Sequence, residues 1–304
     1  MTELNDTPFR CGYAAIIGEP NAGKSTFINA VLGTRLSIVT SKPQTTRRRI
    51  LGFHNGDNHQ VLFVDTPGLV NPAYALQRSM LESAKRAMEE ADVLLVIIDA
   101  PRAIERNEVL PEMLAPLLAA SSLPAVAAIN KVDRITDKME LLPLMEKLLA
   151  AHPFKAVVPI SALENDGVDA VIAELVPLLP AHPALYPDDV LSDQPERFFV
   201  SEIIREKIFE TFRQEVPYAT EVFIAEYTEK NGVDVIAADI LVERESQKRI
   251  LIGKGGSAIK DIGTRARVDI EQFLDRKVYL ELHVKVREGW RNNSEWVRRL
   301  GYDL

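Results

Sequence analysis

The first part of the chain alternates short apolar runs with segments whose apolar residues recur at helical spacing. Runs rich in Val, Ile and Ala predict buried strands at 12–17, 61–65, 93–98, 125–129 and 156–160. Helices are predicted at 25–32, 79–90, 107–119, 139–150 and 168–175. Buried strands that alternate with helices are typical of a parallel sheet covered on both faces. We therefore predict a doubly wound α/β domain, with its ligand at the carboxyl ends of the strands.

Proline interrupts this alternation further along the chain. Five prolines lie from Pro177 to Pro195, and no periodic pattern accompanies them. Prolines without periodicity are typical of a connection between domains. We therefore predict a first domain at 1–176, a linker at 177–196 and a second domain at 197–304.

The second domain has a different pattern of elements. It predicts a helix at 198–214, strands at 220–228 and 233–242, a glycine turn at 253–256, a helix at 257–273 and a strand at 278–286. Asn231-Gly232 between the two neighbouring strands is a strong hairpin signal. This order predicts an α+β domain.

Residues 18–26 read GEPNAGKST and lie between the first predicted strand and the first predicted helix. Gly-x-x-x-x-Gly-Lys-Ser is the pattern of a phosphate-binding loop, in which backbone N–H groups at a helix N-terminus surround an anion. In this pattern Lys24 reaches the outer phosphates and the Ser25 hydroxyl holds Mg²⁺. The predicted nucleotide contacts of the loop are Asn21, Ala22, Gly23, Lys24, Ser25 and Thr26.

Two further segments suit the phosphate end of a nucleotide. Asp65 opens the sequence DTPG after a predicted strand, where a carboxylate suits a water-mediated Mg²⁺ contact and the Gly68 N–H can point at a γ-phosphate. The polar, basic segment 39–49 offers a hydroxyl that completes the Mg²⁺ shell, and we predict Thr46, with Thr45 as the alternative. A plain basic surface loop is the other interpretation of that segment. The predicted catalytic residues are Lys24, Thr46 and Gly68, and the predicted Mg²⁺ ligands are Ser25, Thr46 and Asp65.

The sequence NKVD follows the predicted strand at 125–129 and suits a guanine base. The Asp133 carboxylate can accept hydrogen bonds from the ring N–H and the exocyclic amine of guanine. Adenine lacks that amine and would leave a buried carboxylate unpaired, so the site favours GTP over ATP. The predicted base contacts are Asn130, Lys131, Asp133, Ser161, Ala162 and Leu163.

Phosphate loop, switch threonine, DTPG, NKVD and SAL, in this order and spacing, resemble the translation-factor-related GTPases over residues 12–176. This chain departs from Ras-like members after the DTPG glycine, because Leu69 stands where they carry a glutamine that orients the attacking water. An apolar side chain cannot do so. The resemblance allows K⁺ beside the phosphates, recruited by Asn21. Without a positioned glutamine or arginine we expect unassisted hydrolysis below about 1 s⁻¹.

Residues 250–260 of the second domain read ILIGKGGSAIK. The glycines of this GxxG turn let a nucleic-acid backbone approach closely, and a groove of Ile252, Ile259 and Ile262 can hold unstacked bases. Basic side chains that can neutralise phosphates are Lys254, Lys260, Arg265 and Arg267. The pattern and the element order resemble a type II KH domain. The predicted RNA-binding residues are Ile252, Gly253, Lys254, Gly255, Gly256, Ile259, Lys260 and Arg265.

Together the two domains resemble the Era family of GTPases over essentially the whole chain. The resemblance implies a switch that binds GTP or GDP with Mg²⁺ and assists maturation of the small ribosomal subunit. It implies that the KH domain binds the 3′ region of small-subunit ribosomal RNA. It also allows peripheral attachment to the inner face of the membrane. We expect a monomer.

Charge and cysteine content indicate the kind of partner and the cellular compartment of the protein. The formal net charge is −8, yet residues 244–299 carry 14 Lys and Arg against 8 Asp and Glu, which suits a nucleic-acid-binding portion as well as a basic solvated face. The single cysteine, Cys11, cannot form an intrachain disulfide, which favours the cytoplasm. The first ten residues lack the pattern of a signal peptide, and no apolar run approaches the roughly 20 residues of a membrane span.

Two alternatives to the switch function stay open on the sequence alone. The chain can be an RNA-binding assembly factor for which GTP is only a structural ligand. It can also be a GTPase that takes part in tRNA modification. The sequence has no cysteine or metal cluster for such chemistry, although a partner enzyme can supply it.

Overall fold

The structure is a computed structural model that describes residues 8–40 and 42–302, so residues 1–7 of the N-terminal segment, Ser41 and 303–304 lie outside it. Its packing divides the chain into two compact units. The first unit comprises the residues up to Ser37, Thr46–Pro72 and Met80–Asp193, and the second comprises Ile38–Thr45, Ala73–Ser79 and the residues from Gln194 onwards. The domain limits 1–176, 177–196 and 197–304 stay predictions.

The first unit is built on a six-stranded sheet. Its strands are β1 (Arg10–Ile17), β2 (Ile50–Gly56), β3 (His59–Asp65), β4 (Val93–Asp99), β5 (Ala125–Asn130) and β6 (Ala156–Pro159). The strand order is β2-β3-β1-β4-β5-β6, and every pair is parallel except β2 with β3. The five predicted strands are present to within two residues at each end. The prediction missed β2, an antiparallel strand that begins directly after the basic segment.

Helices cover this sheet. They are α1 (Lys24–Leu32), α2 (Ala75–Glu89), α3 (Ala100–Arg106), α4 (Leu114–Ala120), α5 (Leu141–Ala151) and α6 (Val168–Leu175). The single helix predicted at 107–119 is wrong. Asn107 has the left-handed φ of 50° that ends α3, and its N–H caps the Ala103 and Ile104 carbonyls, so the chain leaves the helix before it re-enters one at Leu114.

Apolar side chains fill both sides of the sheet. Ile17, Leu94 and Val96 are fully buried in one core cluster, and Ile16 and Leu95 are fully buried in the other. Alternate residues of β1 and β4 thus serve opposite faces, as the pleat requires. Burial on both faces explains why these strands are continuously apolar.

The proline-rich segment packs along the outer strand β2 of the first unit. Phe53 donates its N–H to the Leu191 carbonyl at 3.0 Å, and the Phe53 and Tyr186 rings stack at 4.1 Å. The buried Gln60 amide accepts from the Leu185 and Tyr186 N–H groups at 2.8 and 3.0 Å. These bonds cover a sheet edge that would otherwise be open to pairing.

The second unit contains a three-stranded sheet with helices packed against it. Its elements are α7 (Glu196–Thr211), β7 (Glu221–Lys230), β8 (Val233–Val242), α8 (Glu245–Ile252), α9 (Ser257–Leu274), β9 (Lys277–Val286) and α10 (Ser294–Arg299). The hairpin turn forms as predicted, with positive φ at both Asn231 and Gly232. The helices α8 and α10 were not predicted. The order β7-β8-β9, with β8 and β9 parallel, is that of the predicted α+β domain.

Candidate nucleotide site and nucleic-acid groove

The loop between β1 and α1 has the shape of a phosphate cradle. Lys24 is 6% exposed, and its Nζ donates to the carbonyls of Gly18 and Glu19 at 3.1 and 2.9 Å. Gly23 has a φ of 102°, and a Cβ there would lie 2.1 Å from Asn130 Nδ2. A side chain at Gly23 is therefore excluded both by the backbone conformation and by the neighbouring amide.

Burial changes the acid–base chemistry of Lys24. The loss of solvent around the ammonium lowers its pKa to about 8, although the nearby Asp65 and Glu19 carboxylates raise it. A phosphate group beside this ammonium would favour the charged form. An anionic ligand at this position would therefore stabilise the charged form of the buried lysine.

Three oxygen-bearing side chains meet beside Lys24. Ser25 Oγ lies 2.7 Å from Thr46 Oγ1 and 3.0 Å from Asp65 Oδ2, and Thr46 Oγ1 lies 3.4 Å from Asp65 Oδ2. Asp65 is fully buried, and its Oδ1 has no hydrogen-bond partner within the described ranges. Burial raises the pKa of Asp65, while the Lys24 ammonium lowers it.

These oxygens fit a hard divalent cation. Mg²⁺ is bound by hydroxyl, carboxylate and water oxygens, and an unsatisfied buried carboxylate oxygen is costly without such a partner. The structure thus brings together the three predicted Mg²⁺ ligands from α1, from the segment before β2 and from β3. Their role as ligands stays a prediction.

The DTPG segment packs tightly against the phosphate loop. A Cβ at Gly68 would lie 2.8 Å from Pro20 Cα, so glycine is needed for this approach. The next residue, Leu69, donates its N–H to the Gly18 carbonyl at 3.3 Å, and its side chain is 6% exposed. The predicted contact between the Gly68 N–H and a γ-phosphate stays a prediction.

The NKVD segment is tied to the phosphate loop. Asn130 is 2% exposed; its Nδ2 donates to the Ala22 carbonyl at 2.8 Å, and its Oδ1 accepts from the Ala162 N–H at 3.0 Å. Lys131 Nζ donates to the Asn21 carbonyl and to Asp99 Oδ2, both at 2.5 Å. Asp99 was not among the predicted site residues, although its place as an acidic residue at the end of an apolar strand was a signal for it.

Asp133 has a different environment from the one expected. Its side chain is exposed, while Ser161 Oγ donates to its Oδ1 at 2.7 Å. The expectation of a buried Asp133 is therefore wrong, because the short turn Val132–Arg134 places it on the surface. Leu163 is 66% exposed, and its contact with a base stays a prediction.

The GxxG turn of the second unit lies between α8 and α9. Gly253, Gly255 and Gly256 all have positive φ, of 74°, 60° and 80°. No atom of residues 8–40 and 42–302 lies within 4 Å of a Cβ built at Gly255 or Gly256, so the outer side of the turn is open. Lys254 and Lys260 are exposed beside it. This geometry leaves room for a nucleic-acid backbone.

An apolar groove of about 560 Å³ adjoins the turn. It is lined by Ile252, Ile259, Leu282, His283, Val284 and Lys285. The expectation that Ile262 lines this groove is wrong, because its side chain is fully buried in the core under α9. The groove residues of β9, from Leu282 to Lys285, were not predicted, because the local sequence does not indicate which strand packs beside the turn.

Arg265 has several partners within the second unit. It forms ion pairs with Asp261 and Glu210, both at 3.0 Å, and donates to the Thr211 hydroxyl. An arginine held by two carboxylates is less available to phosphate than an unpaired one. Its contact with RNA stays a prediction, as do those of the other predicted RNA-binding residues.

A phosphate loop, a hydroxyl–carboxylate cluster beside it and an NKVD loop tied to it by an asparagine, on a mostly parallel sheet, define a P-loop GTPase domain. The GxxG turn beside an apolar groove defines a KH domain. The chain thus belongs to the class of GTPases that carry a nucleic-acid-binding KH module.

Comparison with known proteins specifies the family. A model of the 50S ribosome-binding GTPase family matches residues 13–131, and a KH domain model matches residues 215–291. GTPase Era of Nitratidesulfovibrio vulgaris is 46% identical over 303 residues, which cover 98% of each chain. The chain belongs to the Era family of GTPases.

Two solved structures agree with this assignment. A crystal structure of an Aquifex aeolicus Era variant bound to GDP and AlF₄⁻ superposes with a TM-score of 0.91 at 41% identity, over 97% of this chain and 100% of that one. A crystal structure of Era with MgGDPNP and nucleotides 1506–1542 of 16S ribosomal RNA matches with the same TM-score, identity and coverage. As a member of this family, the chain is a GTPase that binds GTP and GDP.

Proposed function

We propose that this GTPase is a switch whose nucleotide state controls how its KH domain engages the 3′ region of small-subunit ribosomal RNA, and that it assists maturation of the small subunit. The relative solved with an RNA segment and MgGDPNP supports this partner. The exposed GxxG turn and its apolar groove supply the chemistry for a single-stranded RNA.

One observation carries the switch part of the proposal. The segment Ile38–Thr45, which directly precedes the predicted γ-phosphate sensor Thr46, and the segment Ala73–Ser79, which begins five positions after Gly68, belong to the same compact unit as the KH elements. Gln77 Nε2 donates to Gln44 Oε1 at 3.2 Å, so the two segments are also joined to each other. A ligand that orders either segment can thereby bias the unit that holds the RNA groove.

The side chains and backbone of this chain explain the binding of a nucleotide with Mg²⁺ better than they explain fast hydrolysis of GTP. Lys24 and the loop N–H groups would hold the phosphates, and Ser25, Thr46 and Asp65 would hold Mg²⁺. When bound, Mg²⁺ neutralises charge on the β- and γ-phosphate oxygens. Leu69 places an apolar, buried side chain where a polar group would orient the attacking water, so hydrolysis should depend on a cation such as K⁺ or on a partner.

The single cysteine favours the cytoplasm, and the family resemblance allows contact with the membrane. In residues 8–40 and 42–302 no helix combines the length and apolar character needed to cross a bilayer. A cytoplasmic location, peripheral contact with the inner face of the membrane and a monomeric state are part of the proposal.

The test is GTP turnover with and without a short single-stranded RNA from the 3′ end of small-subunit ribosomal RNA, in K⁺ and in Na⁺. We expect RNA to stimulate turnover, and Gly255→Asp to abolish the stimulation by adding a negative charge at the open turn. Gly232→Asp is the matched control, since Gly232 also has positive φ and open space around its Cβ but lies in the hairpin. Equal RNA affinities in the GTP and GDP states would overturn the switch.

A further inference from the structure

Arg205 is a buried arginine of α7 that contacts the main chain of the segment Ile38–Thr45. Its side chain is 1% exposed, and its Nη2 donates to the Thr45 carbonyl oxygen. Its Nε donates to Glu202 Oε1 at 2.8 Å, and its guanidinium lies 5.5 Å from the centre of the Phe209 ring. All four residues belong to the second compact unit.

The guanidinium stays charged in this setting. Burial by itself lowers the pKa of Arg205, but the Glu202 carboxylate raises it above the ordinary value. A charged donor forms a shorter and stronger hydrogen bond to a carbonyl oxygen than a neutral donor does. Because a buried charge is costly when it loses a partner, the Thr45 carbonyl is held firmly in one direction.

The direction of this carbonyl restricts the backbone of Thr46. The Thr45 C=O and the Thr46 N–H belong to one planar peptide unit, which also includes the Thr46 Cα. A donor that orients the oxygen therefore orients the whole plane. Thr46 Oγ1 in turn lies 2.7 Å from Ser25 Oγ, in the cluster that fits Mg²⁺.

Val39 and Lys42 of the same segment also form hydrogen bonds with α7 and its C-terminal end. The Val39 N–H donates to Glu206 Oε1 at 3.2 Å, and Lys42 Nζ donates to the carbonyls of Phe209 and Phe212 near the C-terminus of α7. These bonds anchor the start and the middle of the segment on the same helix. Arg205 anchors its end, next to the predicted metal ligand.

We propose that Arg205 is a positioning residue of the GTPase: through the Thr45 carbonyl it holds Thr46 in place for the metal and the γ-phosphate. The inference rests on the proposed role of Thr46 in the GTP state. It adds to that function a residue that positions the main chain next to Thr46. GDP lacks the γ-phosphate, so its binding should not require Arg205.

The experiment compares three variants of the full chain. Arg205→Gln removes the charge, Arg205→Lys keeps a charged donor, and Glu202→Gln is the matched control that keeps an acceptor for the guanidinium. Affinities for GDP and for a non-hydrolysable GTP analogue are measured by nucleotide fluorescence over a Mg²⁺ titration. Hydrogen–deuterium exchange of residues 42–50 is followed without nucleotide, and melting temperatures report on the fold.

We expect Arg205→Gln to weaken the GTP analogue about tenfold at limiting Mg²⁺ while GDP binding stays unchanged, as for the loss of one charge-assisted hydrogen bond. Exchange of residues 42–50 should rise, and that of α7 should not. Arg205→Lys should restore part of the preference, and Glu202→Gln should keep it.

The inference is overturned if Arg205→Gln weakens GDP and the GTP analogue equally, or lowers the melting temperature without changing their ratio. A different result would contradict the proposed function, namely a wild-type protein that binds RNA with the same affinity in the GTP and GDP states. In that case the variant comparison still decides the role of Arg205, because it uses no RNA.

Discussion

Asn130 donates its side-chain amide to the main-chain carbonyl of Ala22 at 2.8 Å, so the end of β5 and the phosphate loop share a hydrogen bond. The other end of the amide accepts from the Ala162 N–H at 3.0 Å. One buried side chain thus connects the three loops that are predicted to hold the phosphates and the base. Loops that are joined in this way present a preorganised site, which reduces the cost of ordering them when a ligand binds.

Replacing Asn130 with alanine should disturb all three loops. The Ala22 carbonyl and the Ala162 N–H would lose a buried partner, which costs about 1–3 kcal/mol of unfolding free energy, and GDP affinity should fall at least about tenfold. Denaturant unfolding and fluorescent GDP binding measure the two effects. Asn293→Ala is the control, because Asn293 caps α10 and should cost about 1 kcal/mol with GDP affinity intact. Unchanged GDP affinity in Asn130→Ala would contradict the connection.

Because burial lowers the pKa of Lys24, we predict that the protein takes up protons when a nucleotide binds. Its pKa is about 8 in the nucleotide-free protein, so at pH 8 about half of the molecules have a neutral Lys24, and phosphate binding should restore the charge. Affinity should then decrease as the pH rises above 8. Calorimetry at pH 8 in two buffers of different ionisation enthalpy should show about half a proton taken up. In Lys24→Arg the guanidinium stays charged, and equal uptake by this variant would refute the assignment.

The same shift has a consequence for stability. The folded chain holds the Lys24 pKa below its ordinary value of 10.5, so between pH 8 and 10.5 the unfolded chain binds more protons than the folded chain. The contribution of Lys24 to stability should therefore rise with pH across this window in the nucleotide-free protein. Denaturant midpoints of the wild type minus those of Lys24→Met isolate this contribution. A difference that is constant over the window would show that Lys24 is not shifted.

Gly68 should not tolerate a side chain. A Cβ there would lie 2.8 Å from Pro20 Cα and 2.9 Å from Pro20 N, which are backbone atoms that cannot swing aside. Gly68→Ala should push the DTPG segment away from the phosphate loop, cost about 1–3 kcal/mol and reduce the preference for a GTP analogue over GDP. Melting temperatures and nucleotide affinities test this. Wild-type stability and preference in Gly68→Ala would mean that the close approach has no role.

Ile259 and Ile262 should behave differently although both lie on α9. Ile259 lines the groove beside the GxxG turn, whereas Ile262 is fully buried in the core. Ile259→Ala should weaken RNA binding several-fold with little loss of stability. Ile262→Ala should cost about 2–5 kcal/mol, while the fraction that remains folded binds RNA normally. RNA titration and denaturant unfolding of both variants separate the roles, and a reversed pattern would place the RNA elsewhere.

The sequence by itself determined the chemistry of the site and most of the fold. The phosphate loop, DTPG, NKVD and GxxG are short contiguous patterns, because each one is a turn whose backbone needs particular residues at particular steps. Five of the six strands of the first unit were predicted to within two residues at each end, since burial on both faces makes them continuously apolar. The family resemblance followed from the order and spacing of these patterns.

Only the tertiary structure decided which distant residues meet. It placed Ser25, Thr46 and Asp65 within 3.4 Å of one another, paired Lys131 with Asp99, and put Ile262 in the core rather than in the groove. It also joined Arg205 to the carbonyl of Thr45, 160 positions earlier. Such contacts depend on how helices and strands pack across large sequence separations. The periodicity of apolar residues does not predict that packing, because the same apolar face can pack against many different helices or strands.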